Sequence, residues 1–158
     1  MKIAINNYCN SKCPYCFAKN MSIDKDTSIT EENFINVLKW AKKNKEDNLT
    51  LLGGEPTLHP FFDTLIKRFM EFNKENEMSL TILTNGAKLY KYLDILPSGT
   101  SILLNVVPED ELGAAGKIGF ELTLEKLIAK KCFTDNRPLF TVALGCNLHH
   151  DLKDYSYF

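Results

Sequence analysis

The chain has 158 residues, 44% of them hydrophobic and 25% charged, with a formal net charge of -1. That length can bury about two-thirds of the surface an unfolded chain exposes, so one domain over residues 1–158 is expected. The balanced charge, with a pI near 6.3, gives nucleic-acid binding no electrostatic support.

No stretch approaches the roughly 18 apolar residues of a membrane span, and the run Ile3-Ala4-Ile5 is too short for a signal peptide. A cytoplasmic protein is therefore expected. In that reducing compartment five cysteines point to metal or catalytic use rather than to disulfides.

In chain order, Ile3-Ala4-Ile5 reads as a first strand, followed at once by Cys9-Asn10-Ser11-Lys12-Cys13-Pro14-Tyr15-Cys16. A polar, aperiodic loop continues through Phe17 to Asp26. Ser28-Ile29-Thr30-Glu31 has the form of a capping box, with Thr30 a competing N-cap, and opens a helix with Phe34, Val37, Leu38 and Ala41 on its apolar face. Leu49-Thr50-Leu51-Leu52 is the second strand, ended by Gly53-Gly54-Glu55-Pro56. A helix starting near Pro60, a residue at ease in a first turn, turns Phe62, Leu65, Ile66, Phe69 and Met70 inward.

Leu80-Thr81-Ile82-Leu83 is the third strand, stopped by Thr84-Asn85-Gly86, and a short helix over 87–96 follows. Ile102-Leu103-Leu104-Asn105-Val106-Val107 is a near-continuous apolar run, the pattern of a parallel strand covered on both faces. Glu109 to Gly119 reads as a loop, and Leu122 to Lys131 as a helix with Leu124, Leu127 and Ile128 inward. The fifth strand is Leu139 to Leu144, ended by Gly145, and the tail from Cys146 has no clear period.

Strands alternating with amphipathic helices define an α/β protein built on a parallel sheet. Right-handed crossovers bring the cysteine loop, Gly53-Gly54-Glu55, Asn85 and Cys146 to one rim of that sheet. It is the rim at which α/β enzymes place their chemistry. Three thiolates on one C-x3-C-x2-C loop can hold three irons of a four-iron cluster, each iron taking one protein sulfur. The fourth iron is then open to a substrate or cofactor, by the logic that separates catalytic from structural zinc.

With these residues in view, the chain resembles the radical S-adenosylmethionine enzymes. The shared features are the cysteine loop after a first strand, the aromatic Tyr15 just before its last cysteine, and Gly53-Gly54-Glu55-Pro56 after the second strand. The resemblance implies a partial (βα) barrel, here of about five βα units and incomplete as an N-terminal fragment of the core. It implies a [4Fe-4S] cluster on Cys9, Cys13 and Cys16, with S-adenosylmethionine chelating the fourth iron. One electron would then cleave that cofactor to methionine and a 5'-deoxyadenosyl radical, which takes a hydrogen from a substrate.

By the same resemblance Gly53, Gly54 and Glu55 contact the methionine amino group, Tyr15 lies near the adenine, and Asn85 and Asn105 are further cofactor contacts. The family's usual serine and acidic residue for the ribose are replaced here by Asn105 and Val107. An electron donor such as a flavodoxin or ferredoxin is implied as partner. The substrate is not.

Other chemistries fit parts of the pattern. Cys13-Pro14-Tyr15-Cys16 alone is a glutaredoxin-like dithiol, which requires a low-pKa first cysteine at a helix N-terminus and leaves Cys9 idle. A structural zinc on the three cysteines plus His59 leaves the Gly-Gly-Glu turn unexplained. Glu55 has a structural alternative as an acceptor for backbone N–H groups, and Asn85 as a turn residue tolerant of positive φ. Asn105, in an apolar strand, needs a hydrogen-bond partner if buried. Cys132 reads as a small core hydrophobe, Cys146 as a thiol on the active rim, His59 as shaping the turn before Pro60, and His149 and His150 as solvent-facing.

Overall fold

A computed structural model describes residues 1–16, 18, 27–130, 132 and 139–146. The expectations for the loop after Phe17 and for His149 and His150 lie outside the described residues. Five strands, β1 (Lys2–Ala4), β2 (Asn48–Leu52), β3 (Ser79–Thr84), β4 (Ser101–Val106) and β5 (Thr141–Cys146), form one sheet in sequential order. Every neighbouring pair is parallel, and among the described residues the sheet is open, with β1 and β5 at its edges.

Between the strands run α1 (Glu31–Lys43), α2 (Phe62–Asn73), the single turn α3 (Glu109–Leu112) and α4 (Ala114–Ala129). Thr30 caps α1, its side chain accepting from the Asn33 N–H at 3.2 Å. Acidic Glu31 and Glu32 at the start and Lys42 and Lys43 at the end complement the helix dipole. Alternation along the strands then separates two faces. Leu49, Leu51, Leu80, Ile82, Ile102 and Leu104 pack in one core with Phe34 and Leu38 of α1, Phe62, Leu65, Ile66 and Phe69 of α2, and Leu127 of α4.

The other face is not covered in the same way. In β4 Ile102 and Leu104 are buried, while Leu103 and Asn105 are half-buried and line a cavity. The expectation of a strand covered on both faces is thus corrected: the apolar residues between the core positions form the wall of a site. Met70 and Ile128, expected inward, are 42% and 64% exposed.

The short helix expected over 87–96 is a single 3-10 turn, Leu89–Lys91. At its start a side-chain hydroxyl takes the place of one helical bond. An α-helix there would bond the Tyr90 N–H to the Gly86 carbonyl, four residues back. Instead Tyr90 donates to Thr123 Oγ1 at 2.9 Å, and that hydroxyl donates to the Gly86 carbonyl at 2.6 Å.

The region expected to be a loop up to Gly119 is instead α3 and the first part of α4. Gly119 lies inside α4 because the helix crosses Ala87 closely. A Cβ there would sit 2.0 Å from the Ala87 carbonyl oxygen. The fifth strand is also displaced by two residues, and Gly145 lies within it, opposite Asn105.

Candidate functional site

The C-terminal ends of β2 to β5 and the cysteine loop enclose a cavity of about 420 Å³, within the range of small-molecule sites. Its wall includes Cys9, Cys13, Tyr15, Cys16, Gly53, Gly54, Glu55, Asn85 and Asn105, all of the candidate residues read from the sequence. Leu52, Leu83, Leu103 and Val107 supply its apolar side.

The Gly-Gly-Glu turn is shaped first by its neighbours in the chain. Beyond β1 the backbone runs on beside it, with Gly54 N–H donating to the Asn6 carbonyl at 2.9 Å and Glu55 N–H to the Tyr8 carbonyl at 2.8 Å. A Cβ on Gly53 would stand 2.4 Å from the Asn6 carbonyl oxygen, and one on Gly54 would stand 2.3 Å from that of Tyr8. Both glycines are thus required to bring the approach to the cysteine loop against the end of β2. The buried Asn6 side chain adds a bond from Nδ2 to the Glu55 carbonyl at 3.0 Å.

Glu55 is 1% exposed, and its carboxylate joins two strand ends. Oε1 accepts from the Thr57 N–H at 3.1 Å and from the hydroxyls of Thr57 and Thr84 at 2.5 and 2.6 Å. Oε2 accepts from the Asn85 N–H at 2.8 Å. Burial pushes the carboxyl up from its ordinary value while these donors hold it down. Three of the four bonds meet on one oxygen, so the remaining acceptor capacity lies on Oε2.

Asn85, 7% exposed, ties the end of β3 to the cysteine loop. Its Nδ2 donates to Asn10 Oδ1 at 2.9 Å and to Ser11 Oγ at 3.0 Å, and its Oδ1 accepts from the Ala87 N–H at 3.0 Å. The positive φ of this turn falls on Gly86 at 77°, and Asn85 itself does not adopt one.

The opposite side of the loop rests on β4 and α3. Lys12 N–H donates to the Glu111 carbonyl at 3.0 Å. The side chains of Tyr15 and Glu111 lie beside Cys13, and that of Asn105 beside Tyr15, close enough to act on one another electrostatically. Glu111 went unread in the sequence because its segment looks like a loop.

All three loop cysteines are free thiols on the same cavity wall, a soft donor set suited to iron–sulfur or zinc chemistry. Burial pushes Cys9 up, against a Ser11 N–H bond to its sulfur at 3.4 Å. Cys13 is pushed up to about 12, chiefly by burial and then by Glu111 and Cys9. A dithiol oxidoreductase needs the reverse, a depressed first thiol.

The zinc alternative fails at His59. That ring is 2% exposed. Its Nδ1 accepts from the Phe61 N–H at 3.1 Å, which leaves Nε2 to donate to the Ile29 carbonyl at 2.9 Å. Neither nitrogen is left for a metal, and burial holds the ring neutral. Among the described residues no three His, Cys, Asp or Glu side chains converge on a single-ion position. Of the remaining cysteines, Cys132 is buried in the core and Cys146 is an exposed thiol on the cavity wall.

A parallel βα sheet with sulfur donors and a Gly-Gly-Glu turn at its carboxyl rim defines an α/β protein of the kind that keeps its chemistry at the ends of its strands. The family model for the radical SAM superfamily matches residues 3–107, from β1 to the end of β4. The chain belongs to that superfamily, a family of enzymes.

It is 29% identical over 144 residues to a GTP 3',8-cyclase of Clostridium perfringens, covering 86% of this chain and 43% of the cyclase. A second relative is an S-adenosylmethionine-dependent nucleotide dehydratase of Flammeovirga pacifica, 32% identical over 101 residues, or 60% of this chain and 32% of the dehydratase. The GTP 3',8-cyclase of Helicobacter pylori is 28% identical over 108 residues, or 67% of this chain and 33% of that enzyme. The matched chain thus spans less than half the length of these relatives. No described helix is long and apolar enough to cross a membrane.

Proposed function

We propose that Cys9, Cys13 and Cys16 hold a [4Fe-4S] cluster, and that S-adenosylmethionine binds beside it against Gly53, Gly54 and Glu55. The observation that carries this reading is the presence of three free thiols and the Gly-Gly-Glu turn on one cavity wall. When bound, the reduced cluster supplies the electron that cleaves S-adenosylmethionine to methionine and a 5'-deoxyadenosyl radical, which takes a hydrogen from the substrate.

The chain's own residues have separable tasks. The three thiols lose their protons on loading, so uptake is pH-dependent and proton-releasing. Glu55 Oε2, with a single protein donor, is the acceptor open to an ammonium group, and Tyr15 and Asn105 face the rest of the cofactor. Leu52, Leu83, Leu103 and Val107 keep that side of the cavity dry, which protects a reactive radical from water. Cys16, exposed at the outer end of the loop, marks the side from which a donor such as a flavodoxin or ferredoxin delivers the electron. The relatives' names point to nucleotides, yet the described cavity wall carries no Lys, Arg or His with which to grip a phosphate.

Anaerobic reconstitution with iron and sulfide tests the reading. About four irons and four sulfides per chain are expected, with charge-transfer absorbance lost in a Cys9→Ala, Cys13→Ala, Cys16→Ala variant. Stoichiometric zinc without iron or sulfide overturns it.

A further inference from the structure

We infer that Asn85 is a positioning residue that holds the cysteine loop in its ligating place before any metal arrives, an inference that rests on the reading of that loop as the cluster site. The loop is a span of polar residues with few backbone bonds of its own. Among its internal contacts between Cys9 and Cys16 are the Cys16 N–H to the Cys13 carbonyl at 3.1 Å and the Ser11 N–H to Cys9 sulfur at 3.4 Å. Left to itself such a segment samples many conformations, and ordering it on metal binding would cost affinity.

Asn85 supplies what the loop lacks. Both hydrogens of its amide are committed to two of the three residues between Cys9 and Cys13, Asn10 and Ser11. The amide is itself immobilised, because its oxygen takes the Ala87 N–H and its backbone N–H is held by Glu55 Oε2. Glu55 in turn is fixed by Thr57 and Thr84. An uninterrupted set of bonds therefore runs from the end of β2, through the end of β3, to the middle of the cysteine loop. Every donor of the Asn85 side chain is spent on the protein, so its contribution is to set where the sulfurs stand.

The test uses the metal-free, reduced chain, and follows alkylation of each cysteine by iodoacetamide with mass spectrometry. In Asn85→Ala the rates at Cys9 and Cys13 are expected to rise about tenfold, the scale set by losing two net-favourable hydrogen bonds. Buried Cys132 serves as an internal reference and keeps its wild-type rate. A purely structural role would expose Cys132 as well, and a rise at all cysteines together overturns the proposal.

Asn10→Ala with Ser11→Ala removes the same two bonds while leaving the Asn85 turn intact, and should raise the Cys9 and Cys13 rates equally. Asn10→Asp, which keeps an acceptor for the Asn85 amide, should stay close to wild type. Wild-type rates at Cys9 and Cys13 in the double variant overturn the proposal even where Asn85→Ala does not fold. Because no metal is present, this outcome is independent of whether the wild-type chain takes up iron.

Discussion

Glu55 shows how one carboxylate can serve two ends at the scale of a single residue. Each of its oxygens accepts a backbone N–H, Oε1 from Thr57 and Oε2 from Asn85. A glutamine in its place has one accepting atom and one donating group. Whichever way that amide turns, a buried N–H faces a donor. Glu55→Gln is therefore expected to destabilise the fold by about 1–3 kcal/mol, read as a lowered urea midpoint in the metal-free chain, and an unchanged midpoint would remove Glu55 from its structural role. The Gly-Gly-Glu motif and the cysteine spacing could be read directly from the sequence, because they are local patterns of residue type. The partners Thr84 and Asn6 could not, since each meets the motif only after strands distant in sequence have been brought together.

Among the elements, the first two βα units follow their local signals closely. Thr30 starts α1 where its side chain meets the Asn33 N–H, and α2 buries the apolar stripe read from its spacing except for Met70. The connections after β3 and β4 depart from local signals because tertiary contacts outweigh them. Thr123 takes the Tyr90 N–H and the Gly86 carbonyl that a helix there would pair with each other, and Gly119 is a packing residue in a helix rather than a breaker of one. These two opposing effects make a decisive variant. Helix propensity alone favours Gly119→Ala by about 1 kcal/mol, whereas a Cβ 2.0 Å from the Ala87 carbonyl forces the helix off the sheet and costs about 1–3 kcal/mol. The net change is expected to be destabilising, by thermal or urea unfolding, and a stabilised variant would show that α4 does not cross Ala87 closely.

Across the whole molecule, the sequential parallel order of the sheet is what assembles the site. Each strand ends at the same rim, so loops separated by up to 137 residues, from Cys9 to Cys146, share one cavity. That convergence was legible in the sequence, since right-handed crossovers leave parallel strands no other rim. The two-sided support of the cysteine loop was not, because Asn85 and Glu111 sit in segments whose composition says only turn or loop. The central claim is that three sulfurs leave one iron free beside a cofactor pocket. Its most direct measurement is electron paramagnetic resonance of the reconstituted, one-electron-reduced chain with and without S-adenosylmethionine. The spectrum is expected to shift on addition of the cofactor, as the open iron gains ligands. Identical spectra at saturating cofactor, in a chain with its irons in place, would contradict it.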